Sequence, residues 1–381
     1  MKTGGSRQVW PVRWLYLGFM LTGTGTTLLG CLLPNLIQLW HMNDARAGFL
    51  FAAQFTGGAL GAALVNRNYL ASIARGYGLM IMSALAIARF MGSPHIGFFF
   101  SFGLGLGLTM TATSLMTGAM FSEKRGAALS LLNACWGLGA VASPILASTW
   151  TNKWSAGNLY LVFAVAIFAV LVLVRRTILV SSPRPTDSEV QSANFPIQLI
   201  LGLAFIAFLY VGVEASVGGW IMSYVHRMTA MQNSWPPIVA SCFWIALLCG
   251  RIAAPAVLRR ISEQELLIVS ILGALISVAT LILSTSPGAA LLSATSSGLL
   301  LGPVYPLCVA RTLALTHDGP ATKWVLGISG FGAAALPWLT GRLSTHNSSL
   351  RIGLFIPLAA LGIMLAIVVQ ITKRSLSTLV K

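Results

Sequence analysis

Eight carboxylates occur in this chain of 381 residues, and one of them stands where a carboxylate has chemistry to do. Asp44, Glu123, Asp187, Glu189, Glu263, Glu265 and Asp318 fall in loops or at helix ends. Glu214 lies in the middle of an apolar run, Tyr210-Val211-Gly212-Val213-Glu214-Ala215-Ser216-Val217-Gly218-Gly219-Trp220. A charge at that depth in a bilayer is costly unless it faces a wet cavity, is paired or is protonated. Such a group can accept hydrogen bonds from solute hydroxyls or carry a proton. The structural alternative is a protonated Glu214 that only hydrogen-bonds a neighbouring helix.

Other polar side chains sit at spacings that could line a cavity. Thr109, Thr113 and Thr117 repeat at i, i+4 and i+8 on one helix face, and Asn35 shares a face with Gln38. Threonine also packs or bonds its own helix carbonyl, so the stripe reads equally as helix packing. Asn133 offers both a donor and an acceptor, which suits hydroxyl-rich solutes. Trp136, Trp220 and Trp338 present rings that stack on a solute face or anchor the membrane interface.

Enzymatic chemistry finds no support. Gly327-Ile328-Ser329-Gly330 resembles the string around an intramembrane protease serine, but a nucleophilic serine needs a base in reach, and all five histidines fall near helix ends or in loops. No HExxH string, no clustered His/Cys/carboxylate set and no GxxxxGK[ST] loop occurs, so neither a metal, a cofactor nor a built-in ATPase motor is expected. The five cysteines, Cys31, Cys135, Cys242, Cys249 and Cys308, lie in apolar runs without CxxC spacing and read as buried thiols.

The elements that must position these groups follow from composition. The chain is 56% hydrophobic and 8% charged, with a mean hydropathy of +0.82, against about 25% charged residues in a soluble domain. Apolar runs of roughly 20 residues, enough to cross a bilayer, recur along its length. An all-α membrane protein is predicted, because a barrel would need short alternating strands instead. Hydropathy breaks give twelve transmembrane helices at 11–40, 44–66, 70–91, 95–121, 126–149, 157–176, 195–226, 234–258, 264–284, 287–315, 321–343 and 349–373. These form two six-helix halves, 1–175 and 195–381, joined by a Pro/Ser-rich linker over 176–194.

The net charge of +16 raises the question of nucleic acid. Position answers it, because the basic residues fall at alternate helix ends and form no aromatic-interleaved stripe. With both termini and the linker cytoplasmic, 18 Lys and Arg lie inside, Arg251 among them, and six lie outside: Arg46, Arg89, Lys153, Arg227, Arg342 and Arg351. That split predicts a multi-pass protein of a cell inner membrane. Residues Met1 to Arg13 read as a cytoplasmic start and not as a cleaved signal.

The two halves repeat one another. Gly137-Leu138-Gly139-Ala140-Val141-Ala142-Ser143-Pro144 of the fifth helix aligns with Gly330-Phe331-Gly332-Ala333-Ala334-Ala335-Leu336-Pro337 of the eleventh. Gly103, Leu104, Leu106 and Gly107 of the fourth align with Gly298, Leu299, Leu301 and Gly302 of the tenth. Parallel repeats of this kind mark a large transporter architecture whose substrate site lies between the halves.

At these residues the chain resembles the fucose permease (fucose:proton symporter) family of the major facilitator superfamily. The YVGxExxxGxW pattern of that family's seventh helix stands here as Tyr210, Gly212, Glu214, Gly218 and Trp220. Leu28 to Pro34, Ala53 to Gly57 with Gln54, Leu132 to Ala140 with Asn133, Gly250-Arg251, Gly302 to Pro306 and Leu336 to Gly341 extend the match in order. Acidic residues that the family carries in its first and fourth helices fall here near Gly30 and Met110, which do not titrate, and the loop between the second and third helices keeps only Asn66-Arg67 of its usual Asp-Arg pattern.

The resemblance implies the major facilitator fold and secondary transport of a small polar solute, a sugar or sugar-like compound, by alternating access, with protons as a candidate coupling ion. Gln54, Asn133, Glu214, Trp220 and Trp338 are the expected cavity residues, with Glu214 the expected proton carrier. The expected surroundings are a solute, protons and the lipid bilayer, with the chain acting as a monomer. The competing readings are efflux of a drug-like or amphipathic compound and a membrane sensor or scaffold that transports nothing.

Overall fold

A computed structural model describes residues 9–178, 197–228, 235–316 and 320–379. The linker 176–194 lies, beyond residue 178, outside the described residues, as do Asp187, Glu189 and Asp318. The helices are α1 (Val9–Leu39), α2 (Asp44–Ala63), α3 (Tyr69–Arg89), α4 (Ile96–Met120), α5 (Arg125–Thr151), α6 (Ala156–Ile178) and α7 (Ile197–Met228). They continue with α8 (Trp235–Val257), α9 (Glu263–Leu283), α10 (Pro287–Leu301), α11 (Val304–Thr316), α12 (Pro320–His346), α13 (Leu350–Gly353) and α14 (Phe355–Leu379). Among the described residues, ten membrane spans meet the requirements of length and apolarity, with α10 and α11 counted as one and α13 and α14 as another. The Gly- and Ala-rich α2 and α12, of 20 and 27 residues, complete the twelve.

Two expected helices are interrupted, each by proline. The helix expected over 287–315 breaks into α10 and α11 at Gly302-Pro303. Pro303 and Pro306 have no N–H to give the carbonyls one turn earlier, so the ladder fails twice within four residues. The twelfth span is preceded by the single turn α13 and restarts at Phe355, with Pro357 in its first turn, where a missing N–H costs nothing. Polar caps start other helices. Asn68 accepts from the Ala71 N–H at 3.0 Å to open α3, and Ser262 with Glu265 forms a reciprocal capping box on α9.

The chain divides into two compact units. One comprises 1–41 and 53–188, the other 42–52 and 189–381. The first turns of α2 therefore pack with helices that follow much later in the chain. Exposed apolar side chains keep a three-and-four spacing, as in Leu161, Val165 and Phe168 on α6 and Val269, Leu272 and Ile276 on α9. Such stripes need an apolar solvent, and hydrocarbon provides it.

Inside each unit the repeat glycines mark close helix approaches. A Cβ on Gly139 of α5 would strike the Met20 carbonyl and the Thr24 N–H of α1, and one on Gly332 of α12 would strike the Phe208 carbonyl and the Gly212 N–H of α7. Gly103 and Gly107 of α4 likewise meet the Gln54 and Gly58 carbonyls of α2, while Gly298 of α10 and Gly302, just past its end, meet those of Phe243 and Leu247 of α8. Each unit thus uses small residues at the same crossings, the packing device of membrane helices that have no hydrophobic drive toward each other.

Candidate functional site

The crossing of α8 with α10 places the first charged group. Gly250 faces the Leu299 carbonyl and the Gly302 Cα beside the Gly302-Pro303 break, so the two backbones approach without an intervening side chain. The next residue, Arg251, projects from inside α8 toward α7. Its Nη2 donates to the Glu214 Oε2 at 2.9 Å and lies 3.5 Å from the Tyr210 hydroxyl. The Tyr210 ring stacks on Tyr305 of α11, with centroids 5.7 Å apart and planes at 21°. Ser329 of α12 is a hydrogen-bond partner of Tyr305, which gives the serine of the Gly-Ile-Ser-Gly string a neighbour with no base character at neutral pH.

Glu214 and Arg251 retain 13% and 21% side-chain exposure, and the Arg251 Nε is buried without a hydrogen-bond partner. Desolvating two charges is expensive, and an apolar pair of similar volume would hold α7 to α8 as well or better. The pair is therefore poorly explained by stability. Its chemistry, a carboxylate acceptor and unspent guanidinium donors beside a stacked pair of tyrosines, suits a hydroxyl-rich ligand.

The other residues of the seventh-helix pattern have defined jobs. Gly212 lets α7 close on Gly332 and Leu336 of α12, and Gly218 receives the ring edge of Trp244 from α8. Trp220 is fully buried, and its indole N–H donates to the Pro337 carbonyl at 3.0 Å while its ring meets Phe51 at 5.7 Å. Trp338 is half-buried against Phe49, with the Arg342 guanidinium 5.7 Å from its ring centroid, and its indole N–H is buried without a partner. Trp220 and Trp338 thus meet around one turn of α12.

Gln54 and Asn133 belong to the first unit. Gln54 is 1% exposed and donates to the Thr26 carbonyl at 3.1 Å, while its Oε1 is buried with no partner. The helix register that matches Met20 to Phe208 and Thr24 to Gly212 matches Thr26 to Glu214. Asn133 is exposed on α5, its amide turned back to the Leu129 carbonyl at 2.9 Å. The threonine stripe of α4 is buried throughout, with Thr109 against Gly76 and Met80 of α3, so it is a packing face within the unit.

A second ion pair closes another part of the second unit. Arg227, at the end of α7, clasps Asp44 with two hydrogen bonds of 2.9 Å, and the Ser344 hydroxyl donates to the same carboxylate at 2.6 Å. Asp44, expected in a loop or at a helix end, is the first residue of α2 and is buried. Sequence reasoning counted Arg227 as an orientation charge, and Arg251 as an orientation charge and part of the family resemblance, and so missed both pairs. For Arg251 a signal was present, since it lies well inside an apolar run and a lone buried carboxylate calls for a cation.

Comparison with known proteins agrees with this architecture. The family model described as Major Facilitator Superfamily matches residues 15–318. A glucose/mannose transporter of Bacillus subtilis is 24% identical over 271 residues, 66% of each chain, so the match spans just under two thirds of that relative. Among solved structures, the major facilitator transporter FucP in its outward conformation aligns at a TM-score of 0.61 and 16% identity, over 95% of this chain and 98% of that one. A POT family transporter in complex with 5-aminolevulinic acid aligns at 0.76 and 13%, over 94% and 95%. At such identities the solved structures establish the fold, and the family model establishes kinship: the chain is a multi-pass membrane protein of the Major Facilitator Superfamily.

Proposed function

We propose that this protein is a secondary transporter of a neutral hydroxyl-rich solute, a sugar or sugar-like compound, and that Glu214 and Arg251 form the polar centre of its binding site. The observation that carries this reading is the 2.9 Å pair between them deep in α7 and α8, flanked by Tyr210 and Tyr305. Because the two charges cancel, the site favours neither an acid nor a cation, and it offers acceptor and donor together. The glucose/mannose transporter among the relatives and the fucose symporter among the fold neighbours support the sugar class.

Gln54 supplies a second acceptor through its unpartnered Oε1, and Trp338 a donor through its indole N–H. Asn133 orients solute once its amide leaves Leu129. Trp220 acts by fixing α7 to α12. Glu214 is also the candidate carrier of a coupling proton. The two six-helix halves lie in a cell inner membrane with both termini and the linker cytoplasmic, and the protein works as a monomer.

A thermal-shift screen of the purified protein tests the solute class, because a ligand that binds only the folded state raises its apparent stability. Hexoses, deoxyhexoses and polyols are expected to stabilise it. Stabilisation by lipophilic cations alone would favour efflux of amphipathic compounds, and silence across all classes would favour a sensor or scaffold.

A further inference from the structure

At one end of the first unit α1, α3 and α5 finish and α4 and α6 begin. The Trp40 indole N–H donates to the Met91 carbonyl at 2.6 Å, and Gly157 of α6 faces the Ala88 carbonyl, so these helix ends are held together. Phe90, His95 and Phe98 form a triangle of rings with centroids 5.8, 5.9 and 5.2 Å apart, and with Trp40 and Ser93 they line a small pocket. The Arg89 guanidinium lies 5.5 Å from the Phe90 centroid, and the Ser93 hydroxyl is 2.9 Å from His95 Nε2. Arg89, Phe90, Ser93, His95 and Lys153 are all exposed. Residues 40–43, 90–95 and 152–155, which join the helices here, contain no Asp or Glu.

Arg89 therefore finds no carboxylate in these connections. In the proposed orientation it also works against the positive-inside bias, so neither an ion pair nor topology explains it. Toward the membrane interior, Met82 and Leu85 share its face of α3, seven and four residues earlier, and are 67% and 38% exposed. An apolar track that ends in a cation, a hydroxyl and aromatic rings matches an amphiphile with an anionic head. Guanidinium binds phosphate through two donors, whereas a zwitterionic head brings an ammonium to a place where Arg89 and Lys153 repel it. We infer that this end of the first unit is a binding site for an anionic phospholipid, with the phosphate on Arg89 beside Ser93 and His95 and the acyl chains along Leu85 and Met82.

The test uses the full chain with Cys31, Cys135, Cys242, Cys249 and Cys308 replaced by serine, in nanodiscs of phosphatidylglycerol and phosphatidylcholine in equal parts, with a benzophenone maleimide attached at Gly92→Cys. Gly92 is exposed and has nothing within 4 Å of a Cβ, so the probe hangs beside the site without disturbing it. Leu292→Cys, exposed on α10 in the other unit, is the control. After illumination, mass spectrometry should find phosphatidylglycerol crosslinked at position 92 in excess of phosphatidylcholine by at least about fivefold, the worth of one arginine at a membrane surface, with parity at 292. Arg89→Gln should bring position 92 to the same parity. Leu85→Glu should do so with Arg89 in place, because a carboxylate one turn away takes up the guanidinium. Equal crosslinking of the two lipids at 92, or an excess that survives either variant, would overturn the site. Loss of the excess on adding inorganic phosphate would overturn it too, since the pocket would then hold a free anion and not a lipid.

Discussion

Gly332 stands to α7 as Gly139 stands to α1. Each sits where a Cβ would enter the carbonyl of one residue and crowd the N–H four residues later, Phe208 and Gly212 in one unit, Met20 and Thr24 in the other. The duplication is therefore a repeated crossing as well as a repeated string.

Gly139→Leu and Gly332→Leu should each destabilise by about 3 kcal/mol, the upper range of overpacking, because backbone and not a mobile side chain blocks the new group. Gly78→Leu is the control, since nothing lies within 4 Å of a Cβ there, and it should fall within about 0.5 kcal/mol of the parent. Thermal unfolding in detergent with solute uptake reads both effects. Normal stability and uptake in both repeat variants would remove the glycines as packing elements.

Trp220→Phe deletes the bond to the Pro337 carbonyl and leaves most of the ring volume. It should cost about 1 kcal/mol, the net worth of one hydrogen bond, and change solute affinity by less than about threefold if Trp220 only fixes α7 to α12. Titration calorimetry beside a melting curve separates the two. A loss of affinity with unchanged melting would make Trp220 a direct solute contact.

The pair of Glu214 and Arg251 makes a non-additive prediction. Arg251→Met alone leaves a buried carboxylate without its cation and should destabilise by about 3–5 kcal/mol, whereas Arg251→Met with Glu214→Gln should recover most of that. Both variants should fail to bind solute. Equal stability in the single and double variants would mean that the two charges do not depend on each other.

Orientation is tested at exposed connections. Ser93, between α3 and α4, and Arg260, between α8 and α9, are both exposed. In intact cells an impermeant maleimide should label Ser93→Cys and spare Arg260→Cys. The reverse pattern would invert the topology.

The spans were legible because bilayer crossing needs long apolar runs, and Pro303 and Pro357 were visible as breakers even though their effect on the tenth and twelfth spans was not drawn. Glu214 was legible because nothing hides a carboxylate in an apolar run. The place of Arg251 inside an apolar run was legible too, but a charge count does not use it, and only the fold shows which carboxylate it reaches. Asp44 and Arg227 are 183 residues apart, and no periodicity links them. Thr109, Thr113 and Thr117 show the reverse difficulty: their spacing fits a cavity face and a packing face equally, and their full burial, with Thr109 against Gly76 of α3, decides for packing.

The most direct test of the polar centre is transport of labelled hexose, or of the sugar that stabilises the protein best, by the reconstituted chain and by Glu214→Gln. Gln keeps the hydrogen-bonding shape without the charge, so it releases Arg251 and removes any titration. The account predicts saturable exchange in the parent protein and, in Glu214→Gln, affinity weakened by at least about tenfold, the worth of one charge-assisted bond. If Glu214 also carries the coupling proton, accumulation driven by a pH gradient should vanish while residual exchange persists. Exchange and accumulation at parent levels in Glu214→Gln would contradict the account and leave the pair with Arg251 as a structural contact only.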